Sequence, residues 1–343
     1  MKLVHEVRRL HLRTPFATEN GVVTSFEQIF VRLRWKGLVG IGAAVLSEQY
    51  GMALGVADAL CKCSDLLDET NDPAEIGTIL SSLVAVASSH PSAVAAIDMA
   101  LHDLVGKATG KPVRSLLGLD QQSLVPTAIC LGHMPLGDLL HAAARLSDWP
   151  ILKLKMIRDS DPGVVGRVRE IYPGRIWVDG NSAWTFDQAF EVGLELQRHG
   201  VDLLEQPIPP GDGSALRELR GCLGVKLVAD EDCVQIEDIH RLKGCVDAVN
   251  IKLFRCGGIH AARKMIQMAR AHGLEVMLGC KTESVVGITA AGQLAGLADY
   301  IDLDGHLDIM DDPFLGMTVN SGTIRLPAKN GLGLSVKGAQ PVC

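Results

Sequence analysis

The spacing of hydrophobic and polar residues changes near residue 120. Before that point, three segments alternate apolar and polar residues as half-buried strands do, at 4–12, 28–35 and 39–45. Three segments with helical spacing follow, at 48–67, 73–88 and 92–109. Strands followed by helices predict an α+β domain, which we place at residues 1–118.

From about residue 124, short apolar runs alternate with helix-like segments. The eight runs lie at 124–131, 151–157, 175–179, 201–205, 225–230, 248–254, 275–279 and 300–304. Eight strands that alternate with helices at this period predict a parallel sheet closed into a (β/α)8-type barrel, here over residues 119–316. The Gly-rich tail, 317–343, has a strand-like run at 323–326, and we expect it to complete the first domain.

The composition is that of a globular protein with a large core. Of the 343 residues, 47% are hydrophobic and 21% are charged, and the formal net charge is −7. A disordered chain is less hydrophobic, and nucleic-acid binders concentrate Lys and Arg on one surface, so both classes are disfavoured. We expect no membrane span and no targeting segment, because no apolar run has the required length or flanks.

The nine cysteines favour a reducing compartment. They are odd in number, scattered and without a CxxC pair, so we expect free thiols in a cytoplasmic protein. The expected partner is a small-molecule substrate, with neither nucleic acid nor a membrane involved. We also expect a homo-oligomer.

Charged residues stand at the ends of five successive apolar runs, and they are Lys153 with Lys155, Asp179, Glu205, Asp230 and Lys252. From Lys153 onward they are 22 to 26 residues apart, about one βα unit. The strands of a barrel end at one mouth, where the active sites of this fold lie. We therefore expect these side chains to converge there.

Asp179, Glu205 and Asp230 would repel one another at such a mouth unless a cation neutralised them. Oxygen ligands without His or Cys suit Mg²⁺ best, with Mn²⁺ as a substitute. The alternative for each acid is a helix cap or a loop position. Three acids on consecutive strands favour the metal site.

The lysines predict acid–base chemistry. Burial and cationic neighbours lower a lysine pKa, and such a lysine can act as a base. With Lys153 and Lys155 on one side of the metal and Lys252 across the lumen, two bases could remove a proton from one face of a substrate carbon and return it to the other. The alternative is a set of surface lysines at strand ends.

Asp302 and Asp304 end the eighth run on one strand face. Two carboxylates that the metal does not need could hold a cationic substrate group such as an α-ammonium. The alternative is a loop turn with two solvated acids.

In its motifs the chain resembles the muconate-lactonizing subgroup of the enolase superfamily over nearly its full length. The segment at 95–104 resembles the last helix of that family's capping domain, and the barrel motifs follow in order. They are Lys-x-Lys at 153–155, Asp179, Glu-Gln-Pro at 205–207, Ala-Asp-Glu at 229–231, Asn-Ile-Lys at 250–252 and Gly-Cys-Lys-Thr-Glu-Ser at 279–284.

Within the subgroup, Asp302-x-Asp304 followed by Asp-Pro-Phe at 312–314 is similar to the dipeptide epimerases. The resemblance implies that an Asp-x-Asp pair holds the α-ammonium and that two lysines invert Cα of the C-terminal residue through a metal-stabilised enolate. The residues it implies are Asp179, Glu205 and Asp230 as Mg²⁺ ligands, Lys155 and Lys252 as acid/bases, Lys153 as the enolate stabiliser, and Asp302, Asp304, Thr127 and Cys280 as dipeptide contacts.

Three departures from the family pattern concern specificity. Members that select an acidic C-terminal residue carry an Arg in the early capping loop, where this chain has Gly21 with Glu19 nearby, so alanyl-glutamate is disfavoured. The usual Gly-x-Gly-Glu of the capping sheet ends in Ala43. Lys281 replaces a residue that is usually apolar.

Competing functions stay open. The nearest are other reactions of the same barrel, namely those of N-acylamino acid racemase, o-succinylbenzoate synthase and lactone cycloisomerase. An N-acyl substrate has no ammonium, so Asp302 and Asp304 argue against it. A more remote alternative is a non-catalytic binding protein on the same scaffold, although every acid, base and ligand position is filled.

Overall fold

The computed structural model describes residues 1–19, 21–47, 54–119 and 125–338. The predicted helix at 48–67 and the predicted strand at 124–131 therefore lie partly outside the described residues. Within the described ranges, no helix is long and apolar enough to cross a membrane.

Among its described residues, the N-terminal part has a three-stranded antiparallel sheet followed by three helices. The strands, in sheet order, are β1 (Lys2–Thr18), β2 (Gly21–Trp35) and β3 (Leu38–Val45). The helices are α1 (Val56–Asp68), α2 (Ile76–Ala87) and α3 (Pro91–Thr109). The strands β1 and β2 are longer than predicted, because they form one hairpin whose register shifts between His11 and Phe16.

Two glycines let the sheet contact α3 closely. A Cβ at Gly40 would collide with the backbone carbonyl of Ala100, and one at Gly42 with that of Ala96. The Gly-x-Gly motif in β3 is thus a packing feature of this sheet. It fixes the sheet against the buried helix.

The second part is the predicted barrel, and this prediction is confirmed. Eight parallel strands form one sheet in chain order: β4 (Ile129–Leu131), β5 (Ile151–Lys155), β6 (Arg175–Asp179), β7 (Leu203–Glu205), β8 (Lys226–Ala229), β9 (Ala248–Lys252), β10 (Glu275–Gly279) and β11 (Tyr300–Asp302). A parallel bridge between Thr127 and Ile301 joins the last strand to the segment before the first. The ring is therefore nearly closed.

One short helix, α4 (Val113–Leu116), precedes the first barrel strand, and further helices connect the strands that follow. These are α5 (Leu136–Arg145), α6 (Gly163–Ile171), α7 (Phe186–Arg198), α8 (Gly213–Cys222), α9 (Ile236–Leu242), α10 (Leu253–Cys256), α11 (Ile259–Ala271), α12 (Val285–Gly292) and a 3₁₀ turn at Ala295–Leu297.

One buried apolar layer fills the lower lumen of the barrel. Each strand, or the residue just before it, contributes one member: Ala128, Ile151, Trp177, Leu203, Val228, Ala248, Met277 and Tyr300. Because this end is packed with side chains, polar residues further along the strands lie towards the C-terminal mouth.

The C-terminal segment adds four short strands, β12 (Phe314–Leu315), β13 (Thr318–Asn320), β14 (Thr323–Arg325) and β15 (Ser335–Val336). Beyond β14 it contacts the N-terminal part, since the N–H of Leu332 donates to Asp103 Oδ1 and the N–H of Val113 donates to the carbonyl of Gly331. The division of the chain at residues 118 and 316 stays a prediction.

The loop after β11 pairs with the N-terminal sheet. Leu12 and Ile309 form an antiparallel bridge, and the N–H of Arg13 donates to the carbonyl of Asp308. The N-terminal part is thereby held over the barrel mouth, and we refer to it as the cap.

Candidate active site

Strand register brings the predicted charges to one level. Lys155 pairs with Asp179 across β5 and β6, and Asp179 pairs with Glu205 across β6 and β7. On the other side, Gly279 of β10 pairs with both Lys252 and Asp302. The side chains therefore converge at the C-terminal end of the sheet.

Lys153 lies at the centre of this cluster. Its side chain is 1% exposed, and its Nζ lies 2.7 Å from Glu205 Oε2, 2.7 Å from Asp302 Oδ2 and 3.2 Å from Asp179 Oδ2. One ammonium group thus links the acids of three strands.

The other two lysines each contact one of these acids. Lys155 Nζ donates to Asp179 Oδ2 at 2.5 Å, and Lys252 Nζ donates to Asp230 Oδ2 at 2.7 Å. Since β5 and β9 are four strands apart in a ring of eight, the two lysines approach the cluster from opposite sides.

The three acids differ in pKa because their neighbours differ. Burial acts to raise the pKa of Asp179, but the lowering by Lys155 and Lys153 is larger. The pKa of Asp179 therefore lies well below its ordinary value. Burial also acts to raise the pKa of Asp230, but Arg255 and then Lys252 outweigh it and lower this pKa to about 2. The pKa of Glu205 instead rises to about 8, because burial and then Asp179 both disfavour its charge.

These acids fit a magnesium ion by their donor chemistry. Across the described ranges, no three His, Cys, Asp or Glu side chains are already grouped at metal-binding distances, and each of the three acids faces an ammonium group. Burial, and then the repulsion from Asp179, raises the pKa of Glu205, and a divalent cation would relieve that repulsion. Asp179, Glu205 and Asp230 offer only oxygen ligands, as Mg²⁺ prefers.

Two lysines depart from the expected direction of pKa shift. Burial lowers the pKa of Lys153, but Asp302 and Glu205 raise it well above the ordinary value. For Lys155, too, the lowering by burial is exceeded by the effect of Asp179. Burial and neighbouring cations, the two effects expected to lower these pKa values, are outweighed by the carboxylates in contact with both lysines.

Arg255 is a further residue of the site, and the sequence pattern did not predict it. It is 1% exposed, and its Nη2 donates to the carbonyl and the Oδ1 of Asp230, both at 2.7 Å, and to the carbonyl of Cys233 at 3.1 Å. An arginine just after the apolar run at 248–254 was the available signal. It fixes the orientation of the Asp230 carboxylate.

Gln206 joins the ends of two neighbouring strands. Its Oε1 accepts the N–H of Asp230 at 2.9 Å, and its Nε2 donates to Asp232 Oδ2 at 2.8 Å. The glutamine of the Glu-Gln-Pro motif therefore positions the segment that follows β8. The side-chain amide of Asn250 acts similarly on Glu205 Oε1, at 3.0 Å.

Asp302 and Asp304 both line a cavity between the barrel mouth and the cap, but their partners differ. Asp302 Oδ2 accepts from Lys153, whereas Asp304 Oδ2 accepts the N–H of Cys130 at 2.6 Å. Burial and then the charge of Asp302 raise the pKa of Asp304 to about 7.

The two remaining predicted contacts have different places. Cys280 lines the cavity. Thr127 is fully buried, and its hydroxyl accepts the N–H of Leu303 at 2.9 Å and donates to the carbonyl of Ala128. Thr127 is not among the described residues that line the cavity, and its hydrogen bond to Leu303 joins the two segments that close the barrel. Its contact with a dipeptide stays a prediction.

The cavity has a volume of about 790 Å³. Its cap side is largely apolar and includes Leu12, Phe16, Val23, Phe26, Val45, Leu46 and Leu54. Its barrel side is polar and includes Lys155, Asn181, Lys252, Cys280, Lys281, Asp302 and Asp304. A small molecule with one charged and one apolar portion fits this division.

The residues that depart from the family pattern can also be placed. Gly21 and Lys281 line the cavity. Glu19 Oε2 accepts the backbone N–H of Arg158 at 3.0 Å, so this carboxylate links the cap hairpin to the loop after β5.

Comparisons with known proteins agree with this architecture. A family model described as mandelate racemase / muconate lactonizing enzyme, N-terminal domain, matches residues 1–118, and one described as enolase C-terminal domain-like matches residues 138–340. Both parts of the chain are therefore matched.

Among similar proteins, an L-Ala-D/L-Glu epimerase of Bacteroides thetaiotaomicron is 32% identical over 97% of this chain and 88% of that protein. A hydrophobic dipeptide epimerase of Roseobacter litoralis is 32% identical over 96% of both. The crystal structure of the dipeptide epimerase of Enterococcus faecalis with Mg and L-Leu-L-Tyr superposes with a TM-score of 0.92 at 28% identity, covering 97% of this chain and 99% of that one.

Proposed function

The chain belongs to the mandelate racemase / muconate lactonizing enzyme family of the enolase superfamily, and we propose that it is a Mg²⁺-dependent dipeptide epimerase. It inverts Cα of the C-terminal residue. The observation that carries this proposal is the pair Lys155 and Lys252, four strands apart in the ring, on either side of the acid cluster.

The chain's own residues supply acid, base and charge. In the proposed reaction, either Lys155 or Lys252 accepts the α-proton, and the other lysine returns a proton to the opposite face. Bound Mg²⁺, held by Asp179, Glu205 and Asp230, would stabilise the negative charge that develops on the substrate carboxylate.

Other residues orient the substrate. Lys153 adds positive charge near the same carboxylate, and Asp302 with Asp304 receives the free α-ammonium at the far end of the cavity. The apolar cap covers the site and excludes water, which strengthens each of these electrostatic contacts.

One observation supports a second candidate, an N-acylamino acid racemase. Asp302 accepts from Lys153 and Asp304 accepts from the Cys130 amide, so neither acid is reserved for a substrate cation. The lysine pair would serve either reaction. The two candidates differ in whether the substrate amine is free.

Deuterium incorporation tests the proposal directly. The full-length protein with Mg²⁺ is incubated in D₂O with a library of free dipeptides and with the matching N-acetyl and N-succinyl amino acids. Mass spectrometry should find one deuterium at the C-terminal Cα of free dipeptides. Exchange confined to N-acyl amino acids would replace the epimerase with the racemase, and no exchange in either set would reject both.

We also propose a cytoplasmic location and a homo-oligomer that needs neither nucleic acid nor a membrane. Free thiols at all eight described cysteines support the location. The assembly is supported by the outer strand β1, which leaves Val7 52% exposed. Light scattering of the purified protein tests the assembly.

A further inference from the structure

Lys281 contributes a third ammonium group to the barrel side of the cavity. It lies two residues after β10 and lines the same cavity as Lys155 and Lys252. Its Nζ donates to the hydroxyl of Ser47 at 2.8 Å, and Ser47 itself is 2% exposed. The side chain therefore extends from the barrel to the cap along the cavity wall.

Strand pairing places Lys281 beside the end of the cavity that holds Lys252, because Gly279, two residues before Lys281, pairs with Lys252 across β10 and β9, and the charges around Lys281 agree with this. Burial, then Lys252 and Lys155, lower its pKa to about 8, and the opposing contributions come from Asp230 and Glu231. All four charged groups belong to the end with the acid/base lysines.

The neighbouring residue faces the other end. Cys280 Sγ lies beside Gly305, where a Cβ would come within 3.0 Å of it, next to Asp304 in the chain; burial, then the charges of Asp302 and Asp304, raise the pKa of its thiol. Lys281 and Cys280 thus divide the wall after β10 between the reacting end of the cavity and the end proposed for the α-ammonium.

We propose that Lys281 is a specificity-determining residue that binds a carboxylate on the side chain of the reacting, C-terminal residue. The inference rests on the proposed dipeptide epimerase function and names a substrate class within it, dipeptides that end in Glu or Asp. Such substrates were disfavoured because the capping loop has Gly21 in place of an Arg. Lys281 would supply the positive charge from a different place, the barrel wall.

The other cations of the cavity have different tasks. Arg9 is at the exposed rim, where it pairs with Glu27 at 3.0 Å. Lys155 and Lys252 are committed to the α-proton. An acidic side chain beside Lys281 would supply the negative charge that this crowded group of lysines favours, in a partly buried place where such a contact is strong.

The first test compares isosteric substrates on the unmodified enzyme with Mg²⁺. L-Ala-L-Glu and L-Ala-L-Gln differ by one charge at nearly equal size. A charge-assisted contact should make kcat/KM for L-Ala-L-Glu about 10- to 100-fold higher. L-Glu-L-Ala carries the acid on the other residue, and it should gain no such advantage over L-Gln-L-Ala.

Variants then assign the effect to Lys281. Lys281→Met should reduce the Glu-over-Gln ratio to near one, and Lys281→Glu should favour L-Ala-L-Lys over L-Ala-L-Gln. Lys243→Met, an exposed lysine remote from the cavity, is the matched control and should keep the wild-type ratio. The ratio cancels changes in the amount of folded enzyme.

The outcomes separate this inference from the proposed function. Equal turnover of L-Ala-L-Glu and L-Ala-L-Gln by the wild type, or a ratio that survives Lys281→Met, would overturn the role of Lys281 while leaving an epimerase in place. A preference for L-Glu-L-Ala would move the contact to the N-terminal residue and would also overturn it. Absence of turnover for every free dipeptide would reject the function itself.

Discussion

The carboxylate of Asp98, in cap helix α3, accepts the backbone N–H of Ile259 at the start of barrel helix α11. The next amide, of His260, also points to this oxygen, at 3.4 Å. Gly258 makes room for the contact, because a Cβ there would collide with Asp98 Oδ2. A side chain of the N-terminal part thus accepts the first N–H group of a barrel helix, 161 positions away in the chain.

We expect Asp98→Ala to destabilise the protein because it leaves the buried amide of Ile259, at the start of α11, without its acceptor. The free energy of unfolding should fall by about 1–3 kcal/mol, measured by urea denaturation. Asp65→Ala, in which an exposed aspartate of α1 is replaced, is the control. Equal stability of Asp98→Ala and the control would show that this contact does not hold the two parts together.

The sequence predicted the barrel and its polar end because both depend on local, repeated features. The repeated apolar runs give the number of strands. Because parallel strands share one direction, the charged residues at their ends lie at the same mouth of the barrel. The pairing of Lys155 with Asp179 and of Asp179 with Glu205 in adjacent strands is a direct consequence.

Contacts between distant segments could not be read in the same way. Arg255, in α10, donates to Asp230, which lies 25 positions earlier, just after β8, and the hydroxyl of Thr127 accepts the N–H of Leu303, 176 positions later, where the barrel closes. The direction of the Lys155 pKa shift depends on a carboxylate contact that spacing does not specify. Such pairings are properties of the tertiary structure.

The first functional prediction concerns removal of the metal. Dialysis against EDTA should abolish epimerisation, and added Mg²⁺ should restore it, because the negative charge that develops on the substrate carboxylate needs a cation. Glu205→Gln should require more Mg²⁺ than the wild type in the same titration. Full turnover after exhaustive chelation would contradict the assignment of Asp179, Glu205 and Asp230.

The two lysines should differ in the stereoisomer that they deprotonate. Lys155→Ala and Lys252→Ala should each stop epimerisation, while each retains exchange of the α-proton of one stereoisomer in D₂O, because the remaining base still reaches one face. NMR of the L,L and L,D dipeptides follows both exchanges. Normal exchange of both stereoisomers by both variants would rule out the two-base mechanism.

The preference for acidic substrates should depend on pH. With a pKa of about 8, Lys281 is an ammonium below that pH and neutral above it, whereas the substrate glutamyl group, with a pKa of about 4, stays ionised throughout. The ratio of kcat/KM for L-Ala-L-Glu over L-Ala-L-Gln should therefore fall as the pH rises through 8. Ionisations that act on both substrates alike cancel in this ratio. A ratio constant from pH 6 to 10 would contradict this.

Asp304 separates the epimerase from the racemase. Asp304→Asn keeps an oxygen that can accept the Cys130 amide, so its main effect is the loss of negative charge. If that charge holds an α-ammonium, the loss of one charge-assisted hydrogen bond, about 1.5–3 kcal/mol, should lower kcat/KM for free dipeptides about 10- to 100-fold. Mg²⁺ affinity, measured by calorimetry, should not change.

N-acetylation of the dipeptide removes the same contact and should impose a similar penalty on the wild type, with little further loss in Asp304→Asn. If the wild type instead turned over an N-succinylamino acid faster than any free dipeptide, and Asp304→Asn left that rate unchanged, the ammonium contact would be absent and the racemase would replace the epimerase.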